Sequence, residues 1–303
     1  GQGGIAVRTY VEQLDTEFGL YWQRLHNRTP VLNGIFDTEG VFAGSVLGGN
    51  PVPVYYGVEY PEDVDIWGLS FATNVGVVAL SGELSYKKDL PVGINGTTLL
   101  TGVLGVIGSG GQACLLPDPN VAIGQAGQRT CAAWNSYLSQ GGPLNPDAVA
   151  FVRGWDRFDV TQAQTTAIYF WEQGLGAQRV SLVGEVAWIG VSDLPSIAEM
   201  PYGRNPIFGA PSNVAGGNPV DAGFVDDSSW GYRFRAAANY PNVFAGVELT
   251  PSIAWAHDVS GTSPTPTFID GRKAFSVALG ANYLTKYRAS ISYTWFSGGF
   301  ANP

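Results

Sequence analysis

The chain has 303 residues, of which 14% are charged, 13% are aromatic and 41 are glycine. This balance has less charge, and more rings and turn residues, than an ordinary cytosolic domain. The net charge of −9 and the lack of a basic cluster argue against nucleic acid as a partner, because phosphate binding requires lysine and arginine.

The longest apolar run is too short for a membrane-crossing helix, which needs ~18 residues. That run, 99–108, is interrupted by Thr101 and three glycines. The chain begins GQGGIAV, without the basic start and apolar stretch of a signal peptide. We therefore expect any export signal to have been removed or to lie outside this sequence.

Ten segments alternate between apolar residues and small or polar ones, a period of two that predicts strands with one apolar face. In 80–87 leucine and tyrosine alternate with serine, glutamate and lysine. In 230–240 four aromatic residues lie opposite two arginines, and 274–295 repeats the alternation across a short turn. The predicted strands are 5–13, 16–27, 52–73, 77–90, 151–172, 178–192, 229–240, 245–258, 272–284 and 287–297.

The predicted connections alternate between short and long. They are short at 14–15, 74–76, 173–177, 241–244 and 285–286, and longer at 28–51, 91–150, 193–228 and 259–271. Outer-membrane barrels join their strands in this way, whereas a soluble sandwich has no reason to place every long loop at one edge. We predict an all-β fold, an antiparallel transmembrane β-barrel of the bacterial outer membrane, as one partial domain over 1–303.

In such a barrel the polar face of the sheet lines the lumen, and aromatic residues collect at the two membrane interfaces. Packing of the rings in a soluble core is the alternative. The predicted lumen-lining residues are Glu83, Lys87, Glu185, Arg233, Arg235 and Glu248. The predicted interface aromatics are Trp67, Trp188, Trp230, Tyr232, Trp255, Tyr293 and Trp295.

Two features qualify this prediction. Pro61 removes a backbone donor inside 52–73, so we expect a bulge there or a part of the strand that stands beyond the membrane. The chain ends shortly after a glycine-rich turn, without a closing strand. Because open edges cannot be satisfied in lipid, we expect further strands outside this sequence.

The longest connection, 91–150, carries both cysteines. A disulfide between Cys114 and Cys131 would contribute ~3 kcal/mol on the loop-entropy model and would indicate an oxidising compartment. Two unrelated free thiols are the alternative. In 95–108 the apolar residues have helical spacing, and we hypothesise a short helix that narrows the lumen.

Several long motifs resemble a proteobacterial outer-membrane family known as domain of unknown function 1302. The motifs are LDTEFGLYWQRLHNRTPVLNG from Leu14, EYPEDVDIWGLSFATNV from Glu59, WDRFDVTQAQTTA from Trp155, LVGEVAW from Leu182, YGRNPIFGAPSN from Tyr202 and FIDGRKAFSVALGANYLTKYRASISYTWFSGG from Phe268. Their order and spacing extend the resemblance over nearly the whole chain.

The resemblance implies a C-terminal part of a longer exported protein, without its last strand. It also implies an outer-membrane channel that accompanies a second envelope family and inner-membrane transporters of the resistance-nodulation-division type. Lipids or other hydrophobic molecules are the implied cargo. The resemblance assigns no catalytic or binding residue.

Sites for chemistry are sparse in the sequence. His26 and His257 are the only histidines and lack metal-ligand spacing, so we predict no metal site, no cofactor and no enzyme. A serine hydrolase built on His257 is an alternative, as is calcium bound by the acidic residues in 62–65 or 226–227.

We predict an outer-membrane channel or transport protein. Its expected partners are membrane lipids, a periplasmic carrier and an inner-membrane transporter. A sealed structural or adhesive barrel that displays its loops is the alternative, and an outer-membrane lipid hydrolase is a third.

Overall fold

The structure is a computed structural model that describes residues 1–47, 50–108, 112–115, 119–145, 147–213 and 217–300. Within these residues the fold is mostly antiparallel β-sheet, with thirteen strands and two α-helices. The elements are β1 (Gly3–Val11), β2 (Thr16–Leu25), β3 (Val31–Leu47), β4 (Asn50–Glu59), β5 (Val64–Val75), β6 (Val78–Gly93), α1 (Gly96–Gly108), α2 (Pro119–Ser139), β7 (Val149–Val152), β8 (Trp155–Glu172), β9 (Arg179–Val191), β10 (Ser228–Phe244), β11 (Val247–Ser260), β12 (Lys273–Tyr283) and β13 (Tyr287–Ser297).

Ten strands form one large sheet in the order β1-β2-β5-β6-β8-β9-β10-β11-β12-β13, and every neighbouring pair is antiparallel. This confirms the predicted antiparallel all-β fold with ten long strands. The sheet is open, because β1 and β13 are its two edges and do not pair with each other.

Short turns and long connections alternate along the large sheet, as predicted. All the long connections therefore leave the sheet at the same ends of its strands, and we call this end of the sheet the long-loop edge. The turn between β10 and β11 shows why the opposite edge is tight. Its two residues, Ala245 and Gly246, both have positive φ, at 48° and 83°, which gives the twist that adjacent antiparallel strands require.

The prediction of one strand over 52–73 was wrong. Residues 50–59 form β4 of a second sheet, whereas 64–75 form β5 of the large sheet. Pro61 lacks an N–H and Asp63 has a φ of 60°, so the chain leaves one sheet and enters the other across 60–63.

The prediction of a long connection without strands over 28–51 was also wrong. Residues 31–47 form β3, which pairs with β4 on one side and β7 on the other. Glycine and acidic residues interrupt its apolar pattern, and that composition is typical of a loop. Its pairing with two other strands overrides this weak local preference.

The predicted helix in 95–108 is present as α1. Asn95 caps it, since the side-chain oxygen of Asn95 accepts the backbone N–H of Thr98 at 2.9 Å. The polar helix α2 was not predicted. The role of α1 in narrowing a lumen stays a prediction.

The two helices and the three-stranded sheet pack together at the long-loop edge, and we call β3, β4, β7, α1 and α2 the cap. Phe36 of β3 and Tyr137 of α2 are fully buried in its core, and the ring centroids of Phe36 and Trp134 are 5.4 Å apart. The expected disulfide between Cys114 and Cys131 is present and fastens the turn 112–115 to α2. The cap therefore has its own core and a covalent tie.

Candidate functional site: the polar face and its covered rim

The six residues predicted to line a lumen all lie on one face of the large sheet, which we call the polar face. The strand register shows this, because Glu185 lies opposite both Thr166 and Arg233, and Glu83 lies opposite Gln164. Lys87 and Arg235 follow on the same face of their strands, as does Glu248 on β11. The alternation in the sequence was sufficient to group these side chains.

The seven predicted interface aromatics lie on the opposite face, which we call the apolar face. Trp67 pairs with Tyr86, Trp188 with Trp230, and Phe275 with Trp295 across neighbouring strands. Trp67 is 41% exposed and Trp295 is 49% exposed. Large aromatic side chains thus point away from the protein interior along most of the sheet.

The apolar face is continuous across its first four strands. There it forms a shallow groove of about 570 Å³ lined by Ile5, Val7, Leu20, Trp22, Trp67, Leu69, Leu84 and Tyr86. A soluble monomer rarely exposes an apolar patch of this extent. This face therefore needs a cover that the described residues do not provide.

The polar face has a depression across β2, β5, β6 and β8, which we call the polar depression. A cavity of about 240 Å³ is lined there by Glu17, Ser70, Glu83, Gln164 and Thr166, among others. Thr166 donates to Glu185 at 3.3 Å, and the ammonium of Lys87 donates to Gln162 at 3.3 Å. These groups have the chemistry of a wetted surface rather than of a dry core.

Nearer the long-loop edge, the same face carries a buried ion cluster. Asp258 is 1% exposed, and its carboxylate accepts from Arg233 at 3.1 Å and from Arg272 at 2.6 Å. The backbone N–H of Ile269 also donates to Asp258, at 3.1 Å, and the ring of Phe268 lies under the guanidinium of Arg233. A carboxylate at this depth requires such partners.

The cluster fastens the connection between β11 and β12 onto the polar face. Asp258 was not predicted as a site residue, although the alternation of β11 puts it on the same face as Glu248. Its partner Arg272 comes from the far end of the connection, and no local pattern in the sequence reveals that pairing.

At the long-loop edge itself, the polar face becomes apolar and is covered. Val160 lies on the same face of β8 as Gln162, and Ile189 lies on the same face of β9 as Glu185. They are buried under Met200, Tyr202, Val225 and Phe268 of the long connections. The connections therefore fold over this face and close off its end.

A second, partly buried cluster joins the cap to these connections. Asp156 accepts from Arg129 of α2 at 2.5 Å, from Arg153 at 3.0 Å and from the hydroxyl of Tyr202 at 2.6 Å. Burial, and then the hydrogen bond to Asp156, raise the pKa of the Tyr202 hydroxyl well above its ordinary value. The cluster holds three chain segments together, and sequence reasoning missed it because they are remote in the chain.

The structure does not assemble the alternative hydrolase and calcium sites. His257 lies on the apolar face between Tyr232 and Trp255, with ring centroids 5.6 and 6.2 Å away, whereas Ser252 of the same strand lies on the polar face. The two carboxylate oxygens of Asp65 each accept a hydrogen bond from the guanidinium of Arg24. The described residues contain no group of three potential ligands arranged for a metal.

The helices of the described part of the chain include none that is both long enough and apolar enough to cross a bilayer. No curated protein matches the sequence. Residues 1–302 match the family described as protein of unknown function (DUF1302), and the chain belongs to this family.

Proposed function

We propose that this chain forms part of an outer-membrane β-barrel that conducts solutes, with the polar face lining its lumen and the apolar face in contact with lipid. The observation that carries this proposal is the division of the sheet into two faces. Tryptophan and tyrosine project outward on one, and glutamate, lysine and arginine collect on the other. A transmembrane barrel divides its strands in the same way.

The open edges of β1 and β13 are part of the proposal. Unpaired backbone groups are too costly in hydrocarbon, so the two edges must be satisfied in the membrane, by closure or by further strands. Lipids are then the first partners of the chain. A periplasmic carrier and an inner-membrane transporter are the partners that the family resemblance suggests.

A hydrophobic cargo, as the resemblance suggests, would meet a suitable surface near the long-loop edge. Val160, Ile189 and Val191 form an apolar patch on the polar face there, under the connections that cover it. Movement of the connections would uncover this patch. The charged residues further along the face have mixed sign, so we propose weak ion selectivity.

The covered rim also favours a second candidate, a sealed barrel that only displays its cap and loops. Both ion clusters fasten the cover in place. A sealed barrel would fold and insert in the same way but would pass no current.

Single-channel recording in planar bilayers distinguishes the two candidates, with the full-length protein purified in detergent. Glu83 is exposed within the polar depression, so Glu83→Lys should shift the reversal potential in a salt gradient toward anions. Glu12→Lys, in a short turn outside the strands, is the matched control and should leave the reversal potential unchanged. Absence of current, or an identical reversal potential for Glu83→Lys, would overturn the channel proposal.

A further inference from the structure

A small cavity at the long-loop edge lies apart from the polar depression. It has a volume of about 230 Å³ and is formed where the connections β9–β10 and β11–β12 meet the segment after β13. Val225, Pro264 and Ile269 give it apolar walls, and Thr262 and Ser263 add hydroxyl-bearing residues. Arg204 also lines the cavity.

Arg204 is buried to an unusual degree for an arginine, with 7% of its surface exposed. Its two terminal nitrogens donate to the carbonyl oxygens of Val220, at 2.9 Å, and Phe208, at 2.6 Å. The Nε–H has no hydrogen-bond partner among the described residues. The guanidinium lies over the rings of Phe224 and Phe300, at 4.7 and 5.4 Å from their centroids.

The guanidinium of Arg204 also lacks a close counter-ion. No carboxylate in the described part of the chain comes within 4 Å of its guanidinium. Asp221 acts on it only from a longer distance and is itself engaged with Ser212, at 2.7 and 2.5 Å. Burial lowers the pKa of Arg204, as expected for a cation removed from water without a close counter-ion.

The backbone holds Arg204 in place against a local preference. Its φ of 53° lies in the left-handed region, which a side chain such as arginine rarely adopts. Asn95 donates to the carbonyl of Arg204 at 3.2 Å, and Gly203 donates to Gly93 at 2.8 Å. A Cβ at Gly203 would come within 2.7 Å of Val225, so this position requires glycine. The fold therefore fixes a buried cation without a close counter-ion beside a cavity.

We propose that the cavity binds a small carboxylate with an apolar body. A carboxylate in the cavity supplies the counter-ion that the guanidinium of Arg204 lacks. The volume equals that of about eight waters, at roughly 30 Å³ each, so the ligand is a single ring or a short chain. The apolar walls select the rest of the molecule.

This proposal deepens the proposed function, because the site would be the place where a solute first binds at the mouth of the barrel. Only that role rests on the proposed function. Binding itself does not require transport. If the protein binds benzoate but passes no current, the site stands and the channel proposal is overturned. If the protein passes current but does not bind benzoate, the channel proposal stands and the site is overturned.

Equilibrium dialysis with radiolabelled benzoate tests the site on the full-length protein in detergent. We expect saturable binding, weakened about tenfold or more by Arg204→Gln, which removes the charge and the donor. Ile269→Trp fills the cavity while Arg204 itself is kept, and it should weaken binding to the same extent. Arg28→Gln, an exposed arginine at the same edge, is the matched control and should bind benzoate normally.

Benzamide, which keeps the ring but has no charge, should bind about tenfold more weakly than benzoate. Equal binding of the two would overturn the carboxylate assignment. Absence of benzoate binding, or normal binding by Ile269→Trp when its circular dichroism matches that of the parent, would overturn the site. Ile269→Trp keeps the test valid if Arg204→Gln does not fold.

Discussion

A guanidinium nitrogen of Arg233 lies 3.1 Å from a carboxylate oxygen of Asp258 on the polar face of the sheet, and the Asp258 side chain is almost completely buried. The same carboxylate accepts from Arg272, which lies across the connection between β11 and β12. One acidic side chain therefore joins the wall of the sheet to the loop that covers it.

Asp258→Ala should destabilise the protein by about 1.5–3 kcal/mol, the range for hydrogen bonds to charged groups. Arg233 and Arg272 would lose their common partner, and the connection would detach from the sheet. Thermal unfolding in detergent gives the change in stability, and limited proteolysis within 261–272 gives the local effect. Glu12→Ala, in an exposed turn, should change neither. Unaltered proteolysis of Asp258→Ala would contradict the anchoring role.

Charges on the two faces should have opposite consequences in a membrane. Leu279→Lys places a charge on the apolar face in the middle of β12, where it should cost about 2–4 kcal/mol if that face meets hydrocarbon. Ala278→Lys is the adjacent position on the polar face, between Ser252 and Ser292, and should cost little. Reversible unfolding from lipid vesicles in guanidinium measures both. Equal costs would contradict the assignment of the faces.

Reduction of the disulfide should loosen the cap and leave the large sheet intact. The closed loop is worth ~3 kcal/mol on the entropy model, and α1 and α2 share a small core. Dithiothreitol should therefore speed proteolysis within 96–152. It should leave unchanged the difference in electrophoretic mobility between unheated and boiled protein, which reports the folded sheet. The double variant Cys114→Ser/Cys131→Ser is the control and should show no response to dithiothreitol. Equal cleavage with and without reductant in the parent protein would contradict this prediction.

Alkaline pH should weaken the attachment of the cap through Tyr202. Because folding raises the pKa of this hydroxyl, its contribution to stability is complete below pH about 10, the ordinary tyrosine value, and is lost as pH rises through the folded pKa. Tyr202→Phe should lower stability at neutral pH and flatten its decline at alkaline pH. Thermal unfolding between neutral and alkaline pH measures this.

Arg153→Gln serves as the control for Tyr202→Phe, since it removes another partner of Asp156 without removing a tyrosine. It should lower stability at neutral pH and keep the alkaline decline. If Tyr202→Phe declined as steeply as the parent protein, the raised pKa would not contribute to stability.

The large sheet could be predicted from the sequence because each long strand carries its own signal. The alternation around Phe275 and Trp295 identifies a strand and its faces without reference to any other part of the chain. The grouping of Glu83, Glu185 and Arg233 on one face followed from the same signal.

The cap and the covered rim could not be predicted, because their stability comes from contacts between remote segments. The polar helix α2 is held by the buried Tyr137 and by the ion pair from Arg129 to Asp156. Arg204 looks like an ordinary loop arginine in the sequence. Only the packing of Phe224 and the carbonyl groups of two loop residues makes it a buried cation.

Both cysteines of the chain are taken up by the disulfide in the cap. A cysteine introduced at any other position would therefore be the single reactive thiol of this chain. A maleimide dye that cannot cross membranes would then react on intact cells only with residues on the outer side. Comparison of a thiol in the turn 284–286 with one in the connection 261–272 would give the orientation of the sheet directly.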